Sequence, residues 1–332
     1  MSDNKRSTIH THGGSSSNVA SSYLKILNYN VNFVYATKSK LESNALFVFH
    51  ALFRSEADVI CLQETHAGYE SAFKQIKWKD VRNLDQNLNG NLDEKFKEEQ
   101  SLISLYPHYV FYNHGAAGGM AFLSKYEFLE NSQITLATNA KDQYGKKVVD
   151  GSWFPMHLIT VKVPEKTTGN VKQVLLVNVH LRPPLNDDGS ASLWTARMTN
   201  VYRLNEIKYL YNYLEGIGII SFGNTTCPIV ILGDYNEHDN DPSCEFLKLS
   251  NLFQDALNEF VPQNRETHRW PLKFVWGLYT YWWHKRLDHC VYSKQFFKCL
   301  DCKVIDGYEM NASDHQPVLT TLEFQTESHS NL

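Results

Sequence analysis

Apolar and polar positions alternate along LKILNYNV, Leu24 to Val31, and this period of two predicts a strand. Leu41, Ala45, Val48, Phe49, Leu52 and Phe53 then recur at helical spacing and mark one apolar helix face. DVICLQE, Asp58 to Glu64, is a short apolar run that ends in a polar pair. Strand, helix and strand in that order predict a crossover within one sheet. Further strands are predicted at 118–124, 156–163, 173–181, 228–234, 287–293 and 316–324. Between 173–181 and 228–234, Val201, Leu204, Ile207, Leu210 and Leu214 mark the buried face of a long helix. Residues 79–100 read as a polar surface excursion. Many strands with aliphatic centres and few, widely spaced helices predict two packed sheets covered by helices, an α/β (α+β) class. With no repeat and no shift in composition after residue 22, one domain is expected over 23–325, between a disordered polar tail at 1–22 and a flexible tail at 326–332.

Composition narrows the function more than the fold. The hydrophobic fraction of 42% and charged fraction of 20% are those of a soluble globular chain. A formal net charge of -4 excludes the global basic field that drives tight nonspecific binding to long nucleic acids. No apolar run reaches the roughly 18 residues needed to cross a bilayer, and the first residues lack the apolar core of a secretory signal. An intracellular protein, cytoplasmic or nuclear, acting as a monomer away from membranes is expected. The six cysteines are dispersed, which suits a reducing compartment. Cys299 and Cys302 form a lone CxxC with no second pair and are read as packed thiols rather than zinc ligands.

Polar residues recur at the ends of these apolar strands. Asn30 follows the first and Glu64 ends the second. His180 ends QVLLVNVH, Asp234 and Asn236 close PIVILGDYN, Asp288 opens the strand after Arg286, and Asp314 and His315 precede the last strand. Each has an ordinary alternative. Asp-x-Asn is a common turn, a lone histidine on an apolar strand is usually a satisfied core residue, and Asp288 could pair with Arg286. Carboxylates are costly to bury unpaired, so their repetition at strand ends points to a bound cation or a proton-transfer site.

The segments NYN, LQET, NVHL, GDYN, RLDH and SDHQP, in this order from residue 24 to 324, resemble the endonuclease/exonuclease/phosphatase superfamily, of deoxyribonuclease I-like and exonuclease III-like proteins. The resemblance implies a four-layered α/β/β/α sandwich of two mainly antiparallel sheets flanked by helices. It implies that Glu64, Asn30 and Asp314 hold Mg²⁺, with Mn²⁺ as a possible substitute. Asp234 would orient the attacking water, and Asn236 would bind phosphate. His315 would be the catalytic imidazole with Asp288 as its partner, and His180 a second acid or phosphate ligand. Tyr29 stands where many members have Trp, and His180 where the apurinic/apyrimidinic endonuclease branch usually has Tyr. His157 falls near a position where many members carry Arg. GDYNEH and WHKRLDH do not match the inositol polyphosphate 5-phosphatases.

Two segments look particular to this chain. The loop after His180 offers Arg182 and Arg197 to phosphate and Trp194 for stacking, or else is a Pro-stiffened lead into a helix. Residues 270–284 hold four of the seven Trp, for core packing or for a groove receiving bases or lipid. The reading is a Mg²⁺-dependent phosphoesterase, a phosphodiesterase of a nucleic acid or nucleotide ester, with short or single-stranded substrates favoured. The alternatives are a lipid or small-molecule phosphodiesterase or phosphatase of sphingomyelinase type, and a catalytically silent binding protein on the same fold.

Overall fold

The expected crossover opens the chain: β1 (Tyr23–Asn30), α1 (Lys38–Ser55) and β2 (Val59–Thr65), with β2 parallel to β1. The computed structural model describes residues 23–32, 38–84, 96–113, 118–165, 170–190, 193–262, 265–274, 279–306 and 312–325. The tails at 1–22 and 326–332, part of the polar excursion (85–95) and the side chains of 270–284 lie outside the described residues. Three short helices follow β2: α2 (Ala67–Gln75), α3 (Trp78–Val81) and α4 (Leu102–Leu105). They lead to β3 (His108–Tyr112) and β4 (Gly119–Ser124). The described flanks of the polar excursion tie to each other through exposed ion pairs, such as Arg82 with Glu98 at 2.6 Å.

The second half repeats the theme. After β5 (Ile134–Leu136), β6 (Met156–Pro164) and β7 (Val171–His180) come α5 (Leu193–Met198) and α6 (Asn200–Gly216), then a small ribbon of β8 (Ile220–Ser221) and β9 (Asn224–Thr225). They return the chain to β10 (Ile229–Asp234), parallel to β7. Next are α7 (Pro242–Leu249), opened by a proline at its first turn, β11 (Phe253–Asp255) and α8 (Ala256–Phe260), capped by the Asp255 carboxylate on the Leu257 N–H. A hairpin of β12 (His268–Phe274) and β13 (Tyr279–Lys285) precedes β14 (Asp288–Ser293), β15 (Phe297–Val304) and β16 (Val318–Phe324).

These strands make two six-stranded sheets, ordered β15-β16-β1-β2-β4-β3 and β11-β14-β10-β7-β6-β5. Each has one parallel pair at its centre and antiparallel pairs elsewhere. Strand alternation assigns the layers. Leu27, Tyr29, Ile60 and Leu62 point outward and pack on Val48, Phe49 and Leu52 of α1. Leu175, Val177, Ile229 and Ile231 point outward on the other sheet, against Ile207, Leu210 and Leu214 of α6. The alternate positions, among them Leu24, Ile26, Val59, Cys61, Val174, Leu176, Val230 and Leu232, meet between the sheets. Burying a large aliphatic side chain contributes about 1.5–3 kcal/mol, so these three apolar contacts hold the four layers together. The result is the α/β/β/α sandwich the motifs implied. Cys299 and Cys302 are buried free thiols in the layer between the sheets. Among the described residues, no helix is long and apolar enough to cross a membrane.

Candidate active site

Followed upward, the inter-sheet face changes character at the same height on every central strand. Leu24 and Ile26 are succeeded on that face by Asn28 and Asn30, Val59 and Cys61 by Gln63, Val174 and Leu176 by Asn178 and His180, and Val230 and Leu232 by Asp234. On antiparallel β14 the order reverses, so Asp288 lies above Cys290 and Tyr292 and is the register partner of Asp234. The first polar tier is amide. Gln63 Nε2 donates to Asn28 Oδ1 at 2.8 Å and to Asn178 Oδ1 at 2.7 Å. Asn178 Nδ2 donates across to Leu62 O at 3.0 Å, and Asn28 Nδ2 to Gly233 O at 3.2 Å. Apart from the Gln63–Asn28 bond, which lies within one sheet, these buried bonds cross between the sheets and fix their spacing directly beneath the ionisable tier.

Strict alternation would send Glu64 to the outer face. A register shift between Gln63 and Thr65 and a left-handed φ of 56° at Glu64 turn it back. Gly118 allows this approach: its φ is +77°, and a Cβ there would lie 2.6 Å from Glu64 Cα. Gly118→Ala is therefore expected to cost at least about 1 kcal/mol of stability and to displace Glu64. Thermal melts and cation titration of the variant would check it; unchanged melting and cation affinity would refute the bulge's role.

Asn30 Nδ2 donates to Glu64 Oε1 at 3.1 Å and to Asp234 Oδ2 at 3.0 Å, joining the two sheets. Asp234 Oδ2 also faces two imidazoles, His180 Nε2 and His315 Nε2, each at 3.7 Å. His180 Nε2 lies 3.6 Å from Glu64 Oε1, and its ring stacks on Phe154 at 4.1 Å between centroids. Asp288 is fully buried and its Oδ2 accepts from His315 Nδ1 at 2.8 Å. That bond orients the ring and leaves Nε2 toward Asp234. Arg286 pairs instead with Asp239, at 3.3 Å. The SDH segment is held in place by Ser313, whose hydroxyl donates to Asn30 O at 2.8 Å and accepts from His315 N–H at 3.1 Å. Asp314 Oδ1 accepts from Asn32 Nδ2. Asn236 sits at φ 51°; its N–H donates to Asp234 Oδ1 at 2.7 Å and its side-chain amide to Leu181 O at 3.0 Å.

This crowding sets the protonation. Burial, with repulsion from Asp314, pushes Glu64 up to about 7. Burial likewise lifts Asp234 to about 6 against the attraction of His315. Burial opposes the charge on His315, but Asp288 and Asp234 outweigh it and raise the imidazolium to about 10. Burial also works against the Asp314 carboxylate; the neighbouring His268 and His315 imidazoles and the Asn32 amide hold it below the usual range. Two groups in this tier, Glu64 with His180 and Asp234, and Asp314 with His268 and His315, each bring three ligand atoms within 4.8 Å of one another, a carboxylate and imidazole set that suits a divalent cation.

Seven of the residues picked from sequence come together: Asn30, Glu64, His180, Asp234, Asp288, Asp314 and His315, with Asn236 on the adjoining turn. The others lie differently. Arg182 is buried with its guanidinium on Gly151 O, Leu185 O and Asp187, stacked 3.7 Å over the Trp153 ring. Trp194 and Arg197 are exposed on α5. His157 is buried against Tyr112, 3.8 Å between rings. Sequence reading passed over Asn32, although N-x-N spacing places it two residues from Asn30. It also passed over Phe154, His268 and Arg203. Arg203, buried on α6, bonds Glu237 at 3.0 Å and Arg182 O at 2.9 Å and so clamps the turns after Asp234 and His180 from behind.

Carboxylates and imidazoles thus gather at one rim of a double-sheet sandwich. The Endonuclease/Exonuclease/phosphatase family model matches residues 27–315, and the chain belongs to that family of phosphoric ester hydrolases. No curated protein matches it in sequence. Among solved structures, it resembles ANGEL2, described as a 2',3'-cyclic phosphatase in complex with adenosine-2',3'-vanadate, at TM-score 0.58 and 13% identity over 93% of this chain and 97% of that one. Truncated Caenorhabditis elegans TDP2 is similar at TM-score 0.54 and 15% identity, over 91% and 98% of the two chains. The human Nocturnin catalytic domain with bound sulfate is similar at 0.53 and 12%, over 91% and 95%. At these identities the likeness is one of fold.

Proposed function

We propose that residues 23–325 form one catalytic domain, a Mg²⁺-dependent phosphodiesterase of nucleic acid or nucleotide esters, working as an intracellular monomer. The observation that carries the reading is the placement of Asp234 Oδ2 between two imidazoles, one of them held by a buried carboxylate. Glu64, Asp314 and Asn30 are the residues that would hold the cation, which when bound neutralises phosphate oxygens and polarises phosphorus. Ionised Asp234 orients a water for in-line attack and takes up its proton. His315, charged at neutral pH, donates to the oxygens that gain charge in the transition state, and Asp288 keeps that imidazolium in place. His180, levelled by Phe154, adds a second donor on the opposite side of Asp234. Trp194 and Arg197 lie exposed on α5 and are suited to the rest of the substrate, by stacking and charge; Arg182 instead shapes the loop that carries them. The adenosine vanadate on ANGEL2 and the sulfate on Nocturnin support the phosphate-ester reading.

The test is hydrolysis by the purified chain of labelled oligonucleotides, sphingomyelin vesicles and inositol phosphates with Mg²⁺, Mn²⁺ or chelator. Oligonucleotide cleavage that chelation abolishes is expected. Vesicle binding with sphingomyelin turnover and intact oligonucleotides would reverse the substrate class, and full activity after exhaustive chelation would refute the metal requirement.

A further inference from the structure

His268 stands in the ionisable tier without a part in the chemistry above. It opens β12, and the base of that hairpin is strapped across the catalytic loop. His268 and His315 form an antiparallel bridge, Arg269 N–H donates to Asp314 O at 3.0 Å, and Gln316 N–H donates to Thr267 O at 2.7 Å. Thr267 Oγ1 in turn accepts from the N–H groups of Leu287 and Asp288, at 3.0 and 3.1 Å. These bonds seat the His268 side chain, 10% exposed, with Nε2 3.6 Å from Asp314 Oδ2 and its ring 4.6 Å from that of His315.

We propose that His268 is a ligand of the divalent cation, through Nε2 and beside Asp314, so that the ion sits in a mixed nitrogen and oxygen site. The inference rests on the metal-dependent reading above and adds the identity of a ligand. A separation of 3.6 Å is long for a hydrogen bond. It is close to the spacing of two donors around one ion: with ligand distances of about 2.1 Å, neighbouring donors lie about 3 to 3.5 Å apart. The other Asp314 oxygen is engaged by Asn32, and His315 Nδ1 is committed to Asp288, so Oδ2 and His268 Nε2 are the pair disposed toward a shared ion. The competing nitrogen, His180 Nε2, faces Glu64 and Asp234, but the Asn30 amide bridges those two carboxylates with donors at 3.1 and 3.0 Å. Asp314, His268 and His315 each bring one ligand atom within 4.8 Å of the others, as Glu64, His180 and Asp234 also do, and the experiment below separates the two groups. An imidazole ligand moves preference from Mg²⁺, which favours oxygen, toward Mn²⁺ and its heavier neighbours.

The experiment uses the full chain, stripped of metal by chelation and loaded with one equivalent of Mn²⁺. Electron spin echo envelope modulation reads directly whether a ¹⁴N nucleus is bonded to the ion. Wild type is expected to show ¹⁴N modulation, His268→Ala to lose it, and His180→Ala to keep it. Competition titrations should show His268→Ala weakening Mn²⁺ at least about tenfold and Mg²⁺ less. Circular dichroism checks folding, and His268→Asn, closer in size and polarity, replaces the alanine variant if that one misfolds. Bound Mn²⁺ without ¹⁴N modulation in wild type overturns the inference, as does modulation lost only in His180→Ala, and either leaves the phosphoesterase reading intact. Failure of wild type to bind Mn²⁺ at all would refute the metal-dependent reading itself and the inference with it.

Discussion

Asp234→Asn is expected to lower kcat by at least about 10² while shifting the thermal midpoint little. The substitution keeps shape and burial but removes the anion. Asp234 is ionised only against desolvation, which is why its pKa rises to about 6. A neutral amide escapes that cost, at the expense of one of the two acceptor bonds made to Asn30 and Asn236. The two effects oppose each other, so stability changes little while the group that orients and deprotonates water is gone. His315→Ala is expected to differ in kind. It lowers kcat by about 10²–10⁴ and also costs about 1–3 kcal/mol, because Asp288 Oδ2 loses its donor in a fully buried position and Asp288 Oδ1 already has no hydrogen-bond partner among the described residues. Cys299→Ala, in the apolar layer far along the strands, should leave kcat unchanged. Steady-state kinetics on an aryl phosphodiester with parallel thermal melts would separate the three. An Asp234→Asn enzyme that keeps more than a tenth of wild-type kcat would remove Asp234 from the role of water-orienting base.

What was readable in the sequence follows from which contacts are periodic. A period of two put Asn30, His180 and Asp234 at the ends of apolar strands, and parallel β1–β2 and β7–β10 pairs bring those ends to the same rim. The amide tier went unread, although Asn28, Gln63 and Asn178 interrupt inward-facing aliphatic rows, an anomaly as informative as a terminal carboxylate. Glu64 was found by its place at a strand end, although alternation alone aims it outward; a bulge leaves no periodic trace. His268 was invisible because what joins it to His315 is a backbone bridge between distant segments. Arg182 shows the limit of reading by adjacency. Next to His180 in sequence, it resembles a phosphate ligand, yet its guanidinium closes a loop through carbonyls and an indole ring. β3, β5, β8, β9, β11 and the β12–β13 hairpin escaped prediction because they are short or so aromatic that no alternation stands out, and β15 because a register shift between Cys299 and Asp301 breaks its alternation.

Mg²⁺ is expected to raise the thermal midpoint more at pH 8 than at pH 5. In the metal-free protein, Glu64 rises from the ordinary 4.5 to about 7 and Asp234 from 3.8 to about 6. The folded state therefore binds these protons more tightly than the unfolded chain. Protonation of the two groups favours folding, and stability falls as pH climbs from about 4 to about 7. His315, raised from 6.5 to about 10, works in the same direction at higher pH: its contribution is complete below 6.5 and is lost as pH rises through 10. Asp314 has its pKa lowered, so its contribution is lost only under strong acid, outside this window. The metal-free protein should thus be less stable at pH 8 than at pH 5, with Glu64 and Asp234 ionised and repelling one another. A divalent cation relieves that repulsion and competes with protons for the same oxygens, so its affinity rises with pH. At a cation concentration about 100 times its Kd, binding adds about 2.7 kcal/mol, worth roughly 4 °C in a chain of this size. Melts at both pH values, with chelator or with millimolar Mg²⁺ at constant ionic strength, measure the difference. Equal shifts at pH 5 and pH 8 would mean that the cation binds away from Glu64 and Asp234.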